Sequence, residues 1–177
     1  MGTKLSGESD EMRGSTAVIM RRIAILLLFT VIAFSCDKEY YTTIPNFPVS
    51  IELRLANLDF DLNTNLAYKI FTQPRYETDR LGFGGVLVIN GIGTNTINLF
   101  AYDLSCPVEA QRSVRVEPDN LSSSTSSAIP TAVTATCPKC GAVFNIANGS
   151  GRPVEGTKHS LRSYRVSGSG MQYTVIN

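Results

Sequence analysis

The apolar residues of this chain recur with the period of β-strands. Residues 49–55 alternate apolar and polar side chains without a break, which is the pattern of a strand with one buried face. Two further apolar stretches, 86–89 and 96–102, flank a glycine-rich turn and predict a β-hairpin. No window carries a helical apolar stripe over three turns. The sequence therefore predicts an all-β domain.

Further short strands are predicted along the rest of the chain, at 114–117, 132–136, 142–146, 161–166 and 172–176. Their spacing of roughly 8–12 residues is typical of an antiparallel β-sandwich or small barrel. Residues 57–78 lack a clear period and predict loops with one short strand. The serine-rich stretch 120–130 predicts a surface loop. We expect a single β-domain over residues 49–177.

A short apolar segment precedes this domain. Met-Arg-Arg at 20–22 is followed by residues 23–34, which are apolar except for Thr30. The segment is too short for a transmembrane helix, which needs about 20 apolar residues, and it fits the core of a secretory signal peptide. Residues 1–35 are therefore assigned to a signal peptide. A translation start at Met20 would account for the polar residues before it.

Cys36 follows the apolar segment closely. Residues 33–36 (Ala-Phe-Ser-Cys) place small residues where a signal peptidase cleaves, with the cysteine directly after. The pattern resembles the lipobox of bacterial lipoproteins, in which a diacylated cysteine becomes the mature N-terminus. The resemblance implies an exported protein, held on a membrane of the bacterial cell envelope by lipid at Cys36, with residues 36–48 as a tether. The alternative is a plain signal peptide with an incidental cysteine.

Composition narrows the classes of function. The net charge is +1 and no basic patch is present, so nucleic acid is not a predicted partner. The chain has no tryptophan and a single histidine, so any Ser-His-Asp or Cys-His chemistry would have to use His159. No carboxylate pair and no nucleophile beside a base stands out. A non-enzymatic protein is therefore expected.

Three cysteines remain beyond Cys36. Cys106 precedes a proline, and residues 137–141 (Cys-Pro-Lys-Cys-Gly) repeat the Cys-Pro step. Proline fixes φ and removes one amide, so the remaining amides can point at the sulfur atoms. A Cys-x-x-Cys turn ending in glycine directs two sulfurs to one point, as in zinc knuckles, iron–sulfur loops and redox dithiols. An odd number of thiols indicates one disulfide with a spare thiol, or a shared metal ion.

The two cysteine loops and the residues after them resemble the Rieske iron–sulfur domain. The loops of that family read Cys-x-His and Cys-x-x-His, the second usually within Cys-Pro-Cys-His-Gly-Ser-x-Phe. The matching residues are Cys137, Pro138, Gly141 and Phe144, and in the tail Asn145, Ile146, Gly149, Gly151, Arg152, Pro153, Val154, Gly156, Leu161, Tyr164, Val166 and 168–170. The resemblance covers 81–177 and implies a Rieske-like β-sandwich or small barrel with two cysteine loops. The chain is also similar to Rieske-like lipoproteins of Bacteroidetes, which share the Ile-Pro-x-x-Pro-Val sequence at 44–49.

The metal-binding residues depart from that family. A Rieske 2Fe–2S cluster is bound by two cysteines on one iron and two histidines on the other, but Val108 and Cys140 stand at the histidine positions. Cys106 and Cys137 could still hold the first iron. A 2Fe–2S cluster, or a zinc ion bound by three thiolates, would need a fourth ligand, for which there are two candidates, Glu109 and His159.

Three functions therefore stay open. The first is a non-enzymatic structural or interaction module whose cluster site lacks both histidines. The second is an electron-transfer protein with an atypical 2Fe–2S cluster; export of an unfolded chain disfavours it, because such clusters are normally assembled before export. The third is a three-cysteine zinc protein or a thiol/disulfide protein. For the first function, the partner would be another envelope protein.

Overall fold

The computed structural model describes residue 22 and residues 40–93, 97–121 and 129–177. The predicted signal peptide apart from residue 22, the predicted lipidation site Cys36 and most of the serine-rich loop lie outside these residues. Within the described part of 40–177 the chain consists of β-strands, one short 3₁₀ helix and connecting loops. This confirms the all-β prediction. The described residues include no helix that is long and apolar enough to cross a membrane.

Eleven strands follow one another along the described chain, with the 3₁₀ helix Phe60–Asn63 between the first two. In order they are β1 (Val49–Arg54), β2 (Tyr68–Phe71), β3 (Arg80–Leu81), β4 (Val86–Asn90), β5 (Leu99–Asp103), β6 (Glu117–Asn120), β7 (Ala132–Thr136), β8 (Val143–Asn145), β9 (Pro153–Glu155), β10 (Ser163–Ser169) and β11 (Gln172–Ile176).

These strands form two sheets, in which every strand pair is antiparallel. Seven strands, in the order β2-β4-β5-β10-β11-β1-β3, curl into a nearly closed barrel. The other four form the sheet β6-β7-β8-β9. The predicted hairpin is the β4–β5 pair, in which Val86 lies opposite Asp103 and Asn90 opposite Leu99. The prediction of an antiparallel β-sandwich or small barrel is confirmed, with the seven-stranded sheet taking the barrel-like form.

Strand β4 lies between two hydrophobic cores. Leu87 and Ile89 point into a core shared with the four-stranded sheet, and Val86 and Val88 point into the core inside the barrel. Both faces of β4 are therefore buried, which explains why its sequence is apolar without alternation. Strand β1 has one buried face, as its alternation predicts.

Several strands differ from their predicted positions. Residues 114–116 run beside 104–106 through one bridge, and the regular strand β6 begins only at Glu117. Strands β3 and β9 were not predicted. They contain two and three residues, which is too short for alternation to show in the sequence. Strand β10 continues to Ser169 through polar residues, because it pairs with β11 as far as Gln172.

Residues 40–48, which the sequence assigns to the tether, lie against the β-domain. Ile44 is buried, and its carbonyl accepts a hydrogen bond from the Arg162 guanidinium at 3.0 Å. The Tyr41 carbonyl accepts one from the Ser160 amide at 2.9 Å. The hydroxyl of Thr43 donates to the carbonyl of Pro107. Residues 40–48 therefore contact the first cysteine loop through Thr43.

Candidate metal centre

Two loops of matching geometry bring the three cysteines together. Cys106 lies three residues after the end of β5, and Cys137 follows β7 directly. Each loop closes one turn with a backbone hydrogen bond to the cysteine carbonyl from the amide four residues later. The donor is Ala110 in the loop of Cys106 and Gly141 in the loop of Cys137, and both bonds are 2.9 Å long. Ala110 and Gly141 both have positive φ, 50° and 73°. The two Cys-Pro steps therefore begin equivalent turns.

The three sulfur atoms lie within 4.8 Å of one another. The Sγ atoms of Cys106 and Cys140 are 3.6 Å apart. Thiolates bound to one tetrahedral zinc ion at about 2.3 Å lie about 3.8 Å from each other. All three cysteines are free thiols; Cys106 and Cys137 are buried, and Cys140 is exposed. The arrangement has the dimensions of a site for a single ion.

Burial and backbone amides shift the pKa values of the two buried thiols in opposite directions. Burial raises the pKa of Cys106 to about 12, against the opposing effect of the amides of Glu109 and Val108. Burial also raises the pKa of Cys137. There, the amides of Cys140 and Lys139, with the neighbouring thiols, outweigh burial and hold the pKa below its ordinary value. Amides thus point at both sulfurs, as the Cys-Pro turns predict, and they stabilise negative charge on them.

An ion pair joins the two cysteine loops. The Lys139 Nζ atom lies 2.5 Å from a carboxylate oxygen of Glu109, whose side chain is 18% exposed. The hydrogen bond to Glu109 raises the pKa of Lys139, and negative charge on Cys137 and Cys140 raises it further. The carboxylate of Glu109, one candidate fourth ligand, is therefore bound by the ammonium group and is not part of the sulfur group.

His159, the other candidate, is held by the segment that precedes β1. Its ring packs edge-on against Tyr41, with the ring centroids 4.7 Å apart. Its backbone pairs with Tyr41, and its amide donates to the Thr157 hydroxyl at 3.0 Å. Nδ1 is buried and has no hydrogen-bond partner among the described residues. The imidazole is not part of the sulfur group either.

Asp103, which the sequence did not single out, anchors the loop that carries Cys106. Its buried carboxylate accepts hydrogen bonds from the amides of Phe83 (2.8 Å), Gly84 (3.1 Å) and Ser105 (2.8 Å) and from the hydroxyl of Tyr164 (2.7 Å). The one signal in the sequence is an acidic residue at the end of an apolar strand. Asp103 positions the loop and is not a metal ligand.

The residues present do not fit a Rieske cluster. That centre needs two imidazoles on its second iron, whereas Val108 has no donor atom and His159 lies outside the sulfur group. Three thiolates that converge on one point fit a single thiophilic ion instead. The chain matches no protein-family model and no curated protein.

Proposed function

We propose that this chain is a lipid-anchored envelope protein whose β-domain binds one thiophilic metal ion, zinc by preference, and acts as a non-enzymatic binding module. The ion would be held by Cys106, Cys137 and Cys140. The observation that carries the proposal is the convergence of their three Sγ atoms within 4.8 Å. The fold thus brings together cysteines that are spread over 35 residues of sequence.

The surroundings of Cys137 support a bound metal over a neutral thiol. Backbone amides point at both buried sulfurs, and Lys139 adds a positive charge near Cys137 and Cys140. At Cys137 they outweigh burial and favour the thiolate, which is the form that binds zinc; at Cys106 burial prevails, so that thiol would lose its proton on binding the metal. Zinc suits the site because it accepts tetrahedral thiolate ligands and is redox-inert.

The envelope location rests on the sequence around Cys36. The apolar segment 23–34, the small residues before the cysteine and the charged residues after it support cleavage and lipidation at that position. Lipid at Cys36 would attach the β-domain to a membrane of the cell envelope.

A disulfide protein is the second candidate, favoured by the 3.6 Å between the sulfurs of Cys106 and Cys140. A disulfide bond is about 2.05 Å long, so small side-chain movements would allow it to form. Oxidation of the two thiols releases two protons and two electrons, which the disulfide of an envelope oxidoreductase would accept as it is reduced to a dithiol. Cys137 would then be the spare thiol.

One purification distinguishes the candidates. The full chain is extracted in detergent under anaerobic conditions, and its mass, visible spectrum, and zinc and iron contents are measured. We expect a colourless protein with one zinc ion and a diacylglyceryl group at Cys36. Broad visible absorption with two irons would contradict the single-ion proposal. A metal-free protein whose mass is two units below that of the fully reduced chain would identify the disulfide.

Two cysteine variants provide a matched pair. Cys140→Ser removes one thiolate and should abolish stoichiometric zinc. Cys36→Ser removes a cysteine outside the sulfur group, so it should lose the lipid and retain zinc. Zinc loss in both variants, or in neither, would contradict the assignment of the ligands.

A further inference from the structure

Three thiolates leave one position of a tetrahedral ion unfilled. Closed structural zinc sites have four protein ligands, whereas sites with three keep the fourth position for water or another ligand. The described residues provide only three ligands here. Glu109 is paired with Lys139, and His159 is packed against Tyr41. A fourth ligand must therefore come from elsewhere.

The open side of the site faces solvent. Cys106 and Cys137 approach from the hydrophobic core, whereas Cys140 is exposed. Val108, in the turn that begins at Cys106, is 41% exposed. No described atom outside the immediate chain neighbours lies within 4 Å of the point where a Cβ on Gly141 would be. Of the three ligand residues, Cys140 is therefore the one that an incoming side chain can approach from solvent.

The charge of the site selects the kind of ligand. Three thiolates around a divalent ion leave one net negative charge, and the adjacent Lys139 and Glu109 neutralise each other. An anionic fourth ligand would add a second negative charge at a partly buried site, which is unfavourable. A neutral imidazole nitrogen adds none and is a common zinc ligand.

We infer that an imidazole nitrogen from a second protein fills the fourth position, so that the ion serves as a docking point for an exposed histidine of an envelope partner. This rests on the proposed metal site. Imidazole replaces a bound water molecule, and no bond within the chain is broken. A second copy of this chain is not the partner, because its single histidine is held against Tyr41.

Cobalt substitution tests the inference on the full chain in detergent. Charge-transfer bands between sulfur and Co²⁺ report the three thiolates, and the visible ligand-field bands report the fourth ligand. Imidazole is titrated into the cobalt protein, with azide as the anionic comparison. We expect imidazole to shift the visible bands saturably while the charge-transfer bands persist, with a weaker response to azide.

Two variants identify an internal fourth ligand. Glu109→Gln and His159→Gln should respond to imidazole as the wild-type chain does. The inference is overturned if the wild-type spectrum is insensitive to imidazole, if only a variant responds, if azide binds more tightly, or if imidazole strips the metal. Absence of the charge-transfer bands without any added ligand would refute the metal site itself, so the two failures are distinguishable.

Discussion

Asp103 determines where β5 ends and how the first cysteine loop leaves it. Its carboxylate is fully buried and accepts hydrogen bonds from three amides and from the Tyr164 hydroxyl. One of those amides belongs to Ser105, the neighbour of Cys106. A buried carboxylate is tolerated only when its oxygens are satisfied in this way. The position of the Cys106 sulfur therefore depends on Asp103.

Removing this carboxylate should destabilise the domain strongly. We expect Asp103→Ala to lower the free energy of unfolding by roughly 3–4 kcal/mol, because three buried amides and a hydroxyl lose their acceptor. Tyr164→Phe removes a single bond to the carboxylate and should cost about 1.5 kcal/mol. Urea unfolding of the two variants measures both values. Equal losses would show that Asp103 acts only through Tyr164.

Two buried tyrosines predict the response of the domain to alkaline pH. Burial raises the pKa of Tyr164, and the adjacent Asp103 raises it further; burial likewise raises the pKa of Tyr102. Unfolded tyrosine ionises near pH 10, so above that pH the unfolded chain loses protons that the folded chain keeps. Stability should be independent of these groups below about pH 10 and fall above it.

Melting temperatures between about pH 8 and 11 test this dependence. Tyr164→Phe removes one of the two groups, so its melting temperature should decline less steeply at the alkaline end. The same slope in the wild-type chain and the variant would show that Tyr164 does not contribute to alkaline unfolding.

At the scale of single elements, the last position of the two cysteine turns distinguishes their backbone strain. Both need a residue of positive φ four positions after the cysteine, and the first has Ala110 where the second has Gly141. An L-residue in the left-handed region costs about 1–2 kcal/mol. The first turn is therefore strained, and the second is not.

Exchanging the two residue types should have opposite effects. We expect Ala110→Gly to stabilise the domain and Gly141→Ala to destabilise it, each by about 1 kcal/mol. The space around Gly141 is open, so the loss there would reflect backbone conformation and not a clash. Urea midpoints measure both changes. Effects of the same sign would mean that packing, and not φ, governs these turns.

Periodicity predicted the regular strands better than the connections between them. Strands β7 and β11 have the predicted bounds, and each is a five-residue run rich in β-branched or aromatic residues. Two-residue β3 arises only because Val49 and Ser50 pair with it across the barrel. Such tertiary pairing leaves no local pattern in the sequence.

The candidate site was predictable to a similar extent. The cysteine loops with their repeated Cys-Pro steps predicted that the three cysteines share a site. They also predicted the backbone amides that point at the sulfur atoms of Cys106 and Cys137. Spacing could not indicate the Lys139–Glu109 pair or the packing of His159 on Tyr41, because both depend on how separate loops meet. Only the structure therefore showed how many side chains of this chain are placed to bind one metal ion.

At the scale of the whole molecule, the three cysteines come from both sheets. Cys106 follows β5 of the seven-stranded barrel, and Cys137 and Cys140 follow β7 of the four-stranded sheet. The sheets also share the core that contains Leu87 and Phe144. An ion bound by all three thiolates would add a direct link between the two sheets at one end of that core.

Removal of the metal should therefore loosen the contact between the sheets. A ligand that binds only the folded chain, at 100 times its dissociation constant, stabilises it by about 2.7 kcal/mol. We expect chelation to lower the melting temperature of the wild-type chain and to speed amide exchange in both cysteine loops and in the β4–β5 hairpin. The Cys140→Ser variant should be insensitive to the chelator, and Cys36→Ser should respond as the wild-type chain does. Unchanged melting in the wild-type chain would refute the link, since an ion bound to both sheets cannot leave without cost to their association.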